Sequence, residues 1–188
     1  MTKVCLVAAV SNSGAIGANG DLLWHYRDLP SDMEHFRRTT RNHVVLMGRK
    51  TWDGLSVHPL PRRHNIVVTS RPDDINDWQD DSAQAFTTLR ESMLAAEAKA
   101  ESLGHLFYFV IGGGIIYRTL MPIADEMWIT HVDVDLEGDT YFPPIDPKEW
   151  SISQLPDMML PVHMDKYDLT IKHYKRLGKN ANNQRNKA

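Results

Sequence analysis

The chain has 188 residues, a net charge of −3, and 42% hydrophobic and 24% charged residues, the balance of a soluble single domain large enough to bury its own core. The acidic balance argues against a dedicated nucleic-acid or membrane binder, both of which usually carry a basic excess, and no run approaches the roughly 18 apolar residues of a membrane span. Cys5 is the single cysteine, so no internal disulfide can form; a reducing, cytoplasmic setting follows, and "VCLVAAV" is too short and too early for a signal peptide.

In chain order, "KVCLVAAV" (3–10) reads as a buried strand. "IGANGDLLWHYRDLPSDMEHFRRTT" (16–40) follows: a glycine-bearing loop, Trp24, a polar spacer, then a helix over 30–40 opening on Ser31-x-x-Glu34, a capping-box pattern. Asp32 lies in the first turn of that helix, with Phe36 at i+4 and Met33 paired to Phe36 at i, i+3. Two readings stay open: a first-turn acid complementing the helix dipole, or a carboxylate aimed into an apolar pocket. Trp24 is equally open, as core or as site.

"HVVLM" (43–47) and "NIVVT" (65–69) read as further buried strands. A helix is expected over 88–104, opening with Thr88-x-x-Glu91 and closing at Gly104. "LFYFVI" (106–111) and "EMWITHV" (126–132) are strands again. "EWSISQL" (149–155) and "YDLTIKHYKRL" (167–177) have no helix between them and should add antiparallel strands at one edge. The polar tail 178–188, with Lys179, Arg185 and Lys187, reads as a disordered, solvated end rather than a nucleic-acid contact. Strand–helix alternation implies an α/β fold with a mostly parallel central sheet and an antiparallel C-terminal edge.

Ligands of open α/β sheets sit beyond the carboxyl ends of the strands. Three such ends carry matching chemistry: Gly48-Arg49-Lys50-Thr51, then Thr69-Ser70-Arg71, then Gly112-Gly113-Gly114 before a helix starting near Ile115. Glycine lets backbone approach a pyrophosphate closely, and free N–H groups at a helix start favour anions. A tight turn without ligand explains the glycines alone; the three ends together point to a phosphorylated cofactor. Arg49, Thr69, Ser70 and Arg71 suit a ribose 2′-phosphate, hence NADPH, although solvated surface charge is the plain alternative for both arginines.

The motifs "GDLLW" (20–24), "LPSDMEHFR" (29–37), "MGRKTW" (47–52), "PLPRRHNIVVTS" (59–70), "IGGGIIY" (111–117) and "EGDTYFP" (137–143), in this order, resemble dihydrofolate reductase over roughly residues 3–177. The resemblance implies a single domain over 1–177, with a sheet of about eight strands and about four helices, that reduces 7,8-dihydrofolate with NADPH. Hydride would pass from nicotinamide C4 to pterin C6, with protonation at N5. It implies Asp32 as the pocket carboxylate for the pterin 2-amino group and N3, Trp24 as its support through water, and Thr130 as hydrogen-bond partner of that carboxylate. Leu22, with Ile16 to Gly20, would belong to a mobile loop over the nicotinamide. Val7, Ala8, Met33, Phe36, Leu55 and Ile111 would wall the folate pocket, and Arg63 would take the α-carboxylate of the glutamate tail. Ala9, Ile16, Gly17, Gly20, Gly48, Arg49, Lys50, Thr51, Thr69, Ser70, Arg71, Gly112, Gly113, Gly114, Ile115, Tyr117 and Thr140 fall on cofactor positions, and the first two glycines of the triplet would be joined by a cis peptide.

Departures are Leu23 where proline is usual before the tryptophan, a longer spacer between Trp24 and Asp32, Ile115 where some members place a cation, and an extra residue in "SVHPLP" (56–61). Antifolate binding and a monomeric state are further expectations. No metal is expected: the nine histidines are scattered, with no H-E-x-x-H or Cys/His cluster, and His131 reads as structural. Two rivals are the pyrimidine reductase of riboflavin synthesis and a non-catalytic nucleotide- or RNA-binding module. The Trp24–Asp32 pairing argues against the first, and the carboxylate with its loop and cofactor positions against the second.

Overall fold

The computed structural model describes residues 2–25, 27–76, 82–153 and 164–178. Eight strands form one sheet. These are β1 (Lys3–Val10), β4 (Val44–Gly48), β5 (His64–Val68), β6 (Ala83–Phe86), β7 (Phe107–Val110), β8 (Glu126–Val132), β10 (Trp150–Ser153) and β11 (Leu169–Arg176). Their order is β10-β11-β8-β1-β7-β4-β5-β6. The run from β8 to β6 is parallel, whereas β11 is antiparallel to both β8 and β10. This matches the expected architecture.

A second sheet, ordered β3-β2-β9, joins β2 (Ala15–Ala18), β3 (Asp21–Leu22) and β9 (Thr140–Tyr141). It gives the 16–22 loop a β framework that its glycines concealed. The helices are α1 (Pro30–Thr40), α2 (Arg49–Asp53), α3 (Asp73–Asn76), α4 (Leu89–Ser102) and α5 (Gly114–Leu120). Among the described residues there are five rather than about four, because α2 and α3 are single turns too short to show a helical period. β6 also escaped the pattern, as a short edge strand whose Gln84 faces solvent between buried Ala83 and Ala85.

Both faces of the main sheet are covered, which is why its strands read as continuous apolar runs. Leu6, Leu46, Ile66, Val110, Met127 and Ile129 point into one core, toward Ala96 and Ala100 of α4. Cys5, Val7, Val45, Met47, Val67 and Phe109 point into the other, with Phe36 of α1 packed against it. A smaller cluster of Trp24, Leu29 and Val132 holds the spacer before α1 against Tyr167 and Leu169.

The helix signals fared unequally. At α4, Thr88 Oγ1 accepts the Glu91 N–H at 3.2 Å and donates to the Glu91 carboxylate at 2.8 Å. Its far end is a Schellman motif, with Gly104 at φ +72° and the N–H groups of Gly104 and His105 bonded to the carbonyls of Glu101 and Ala100. At α1 the expected Ser31 cap does not form. The helix has the expected bounds, but Pro30 suits the first helical position, so Leu29 becomes the N-cap in place of Ser31, with no side-chain hydrogen bond. The expected tail lies, except for Gly178, outside the described residues, as do residues 154–155 of the expected strand 149–155.

Candidate active site

The carboxyl ends of β1, β4 and β7 open onto a cavity of about 290 Å³. The β1 wall is Val7, Ala8 and Ala9, and α1 contributes Asp32, Met33 and Phe36. Lys50 and Thr51 of α2, with Leu55 just beyond it, close another side, while Ile111 to Gly114 and Tyr117 close the β7–α5 side. Ile16, Gly17, Gly20, Leu22, Trp24 and Thr140, from the small sheet and its continuation, complete the walls. Residues that the sequence placed in two groups, folate wall and cofactor strip, thus share one continuous cavity.

Asp32 is the carboxyl on the cavity wall with a displaced pKa. Removal from water pushes its carboxyl up from 3.8 to about 6; a hydrogen bond from Thr130 opposes that rise and the charge of Asp165 adds to it. Thr130 is buried in β8 beside Ala9. It reaches the cavity through Asp32 rather than lining it. Tyr117 donates its hydroxyl to the Val7 carbonyl at 2.6 Å. Burial, and then the Asp32 charge, push that phenol well above its ordinary range.

The glycine triplet is packed against protein. The Gly112–Gly113 peptide is cis, and the Gly112 carbonyl accepts the Gly48 N–H at 2.8 Å. Gly112 has φ +126°, and a Cβ there would lie 3.1 Å from Thr51 Oγ1. At Gly114 a Cβ would lie 2.7 Å from Thr140 Cγ2. These contacts with Thr51 and Thr140 are a reason for glycine that the sequence alone did not reveal.

Other expected site residues stand outside the cavity wall. Arg49 is bonded to Asp53 at 2.7 Å and to Asp74 at 2.9 Å, and Arg71 lies 3.5 Å from the same Asp74 oxygen. Thr69 is buried, its hydroxyl accepting the Arg71 N–H at 3.1 Å, and Ser70 is exposed beside it. Ile115 is exposed at the start of α5. Arg63 is buried and donates to Thr40 Oγ1 and the Pro61 carbonyl, both at 2.9 Å, with its guanidinium 5.6 Å from the Phe36 ring. Burial and neighbouring Arg37 pull its pKa down; an anionic ligand group would relieve both effects.

Asp21, Leu29 and Gly54 also line the cavity but were not singled out from the sequence. Leu29 had a readable signal, an apolar residue directly before a proline-started helix; the Gly54 signal was hidden by the shortness of α2. Among the described residues, no group of three or more His, Cys, Asp or Glu is placed to hold a metal ion, and no helix is long and apolar enough to cross a membrane.

A family model described as dihydrofolate reductase matches residues 3–176. Dihydrofolate reductase HdrB of Haloferax volcanii is 36% identical over 151 residues, spanning 79% of this chain and 74% of that protein. The dihydrofolate reductase of Neisseria meningitidis serogroup A is 39% identical over 150 residues, spanning 80% and 85%. Among solved structures, dihydrofolate reductase from Enterococcus faecalis, complexed with NADP(H) and RAB-propyl, superposes with a TM-score of 0.73 at 28% identity, covering 93% of this chain and 96% of that one. With the family model matched over nearly the whole described fold, and a carboxylate-bearing cavity at its strand ends, this chain belongs to the dihydrofolate reductase family.

Proposed function

We propose that Asp32 is the group that holds and polarises the pterin in the NADPH-dependent reduction of 7,8-dihydrofolate to tetrahydrofolate, the activity of this family. One observation carries the reading: an ionisable carboxyl bonded to Thr130, sharing a cavity wall with apolar Met33 and Phe36, and pushed up to about 6. A carboxyl so placed can accept hydrogen bonds from the pterin 2-amino group and N3. It also titrates near neutrality, where it can favour protonation at N5. Trp24 and Leu22 sit on the loop side of the same cavity and would limit water to what protonation needs.

The cofactor strip fits a dinucleotide by its chemistry. Lys50 and Thr51 line the cavity together with Gly112 to Gly114, and Arg49 and Arg71 converge on one carboxylate, offering cations to a 2′-phosphate. When bound there, NADPH supplies the hydride. The chain's own residues position the two rings, exclude bulk water and hold the Asp32 proton. Arg63 would take the glutamate-tail carboxylate, and antifolates would compete for the pterin subsite. A monomer working in the cytoplasm completes the proposal.

The test is NADPH oxidation by purified protein with and without 7,8-dihydrofolate, the Asp32→Asn variant run alongside. Substrate-dependent loss that collapses in the variant supports the assignment. Equal rates for the two proteins would remove Asp32 from the role.

A further inference from the structure

We propose that Asp165 is a positioning residue for this reaction: from outside the cavity it caps the first turn of α1 and thereby sets the direction and protonation of the neighbouring Asp32 carboxyl. The inference rests on the role given to Asp32 above. Helix α1 has no side-chain cap of its own, since Leu29 occupies the N-cap. Pro30 lacks an N–H, so the next donor is the Ser31 N–H, which is given to Asp165 Oδ1 at 2.9 Å. Met33 N–H already bonds the Leu29 carbonyl at 3.1 Å. A carboxylate at this point satisfies an orphan donor and complements the helix dipole.

Asp165 is itself held in place. Lys166, the next residue, donates its N–H to the Asp28 carbonyl at 2.8 Å, and its ammonium lies 3.4 Å from the Asp28 carboxylate. Tyr167 and Leu169 then pack on the Trp24–Leu29–Val132 cluster. The lead-in to β11 is therefore sewn to the spacer between Trp24 and Asp32, and the cap arrives from 134 positions away in sequence.

The capped residue and Asp32 are adjacent in the chain, so the cap fixes the backbone from which the Asp32 side chain departs. The two carboxylates also repel. The groups facing Asp32, among the described residues, are Thr130 from β8, Tyr117 from α5 and Asp165 from the segment before β11. Thr130 favours the charged form and Asp165 the neutral one. Asp165 therefore keeps a proton on Asp32 to higher pH, in a reaction that consumes one.

Two variants separate the effects. Asp165→Asn keeps an acceptor for the Ser31 N–H and removes the charge; Asp165→Ala removes both. Each is read by the titration midpoint of the Asp32 carboxyl in carbon-13-labelled free protein, by thermal melting, and by the pH profile of turnover. The expected result is a midpoint lowered by roughly half a unit or more in both variants, with the melting temperature lowered only in the alanine variant. The pH above which turnover declines should move down with the midpoint. An unchanged midpoint in Asp165→Asn would overturn the proposal, as would an unchanged pH profile in the face of a shifted midpoint. The titration needs no substrate, so a parent protein that binds but does not reduce dihydrofolate would count against the function and be told apart from a failure of this inference.

Discussion

Thr130 on β8 hydrogen-bonds Asp32 on α1, so a strand from the middle of the sheet steadies a carboxyl carried by a surface helix. The bond favours the charged form, in opposition to burial. Replacing Thr130 by Val keeps the shape and removes the donor. The Asp32 midpoint should then rise above its present value of about 6, and the pH above which turnover declines should move up with it. Thr130→Ser should recover most of both, and a carboxyl titration with steady-state rates checks it.

Asp32 should cost the free protein stability. Its folded pKa of about 6 lies above the unfolded 3.8, so the folded state holds its proton more tightly. The associated stability is fully present below pH 4 and is lost as pH rises through about 6. A gap of about two units corresponds to about 3 kcal/mol at pH 7.5. Asp32→Asn should therefore melt higher than the parent at pH 7.5 and show no such advantage near pH 4. Turnover should drop by a factor of about 100 or more at neutral pH, with partial recovery in acid. Melting curves at the two pH values, paired with rates, test the trade between stability and function.

His35 works in the opposite direction. It is buried in α1, its ring 5.1 Å from that of Trp128, with Nδ1 lacking a partner among the described residues. Burial lowers its pKa from 6.5 to about 4, and Arg38 and His173 add to that. The stability it confers is present above pH 6.5 and is lost as pH falls through about 4. His35→Phe keeps a ring against Trp128 and removes the titration. The variant should resist acid unfolding better than the parent, by up to about 3 kcal/mol near pH 3, with little change at pH 7.5. Acid titration followed by far-ultraviolet circular dichroism would show it, and coincident curves would refute it.

Gly114 has no room for a methyl group, because a Cβ would sit 2.7 Å from Thr140 Cγ2. Gly114→Ala should destabilise by ~1–3 kcal/mol, as overpacking does, and raise the KM for NADPH more than that for dihydrofolate. Adding Thr140→Ser deletes the clashing methyl and should restore part of both. A double mutant no better than the single one would place the fault elsewhere.

The main sheet was legible because its strands are apolar on both faces, as in "HVVLM" and "NIVVT". Helix α4 was legible because Thr88, Glu91 and Gly104 are local signals acting locally. What could not be read depended on distance in sequence. Asp165 reaches the Ser31 N–H only because the segment leading into β11 returns beside the start of α1. The ion pair of Arg49 with Asp74 depends on how α2 and α3 meet. Whether Asp32 faced water or a pocket was undecidable from its helix alone, since Thr130 and Asp165 supply the answer.

The central position of β1 has a consequence for how the protein is made. Its neighbours are β7 and β8, with Cys5 paired to Phe109 on one side and to Glu126 on the other. Strand β1 is thus flanked only by partners more than 100 residues downstream in the order of synthesis. Until those are synthesised, "KVCLVAAV" has both its edges and its apolar side chains uncovered, a state open to aggregation. The sheet therefore assembles late and through long-range pairings, which slow folding. A chain halted before Phe107 should remain open to proteases, however well α4 forms on its own.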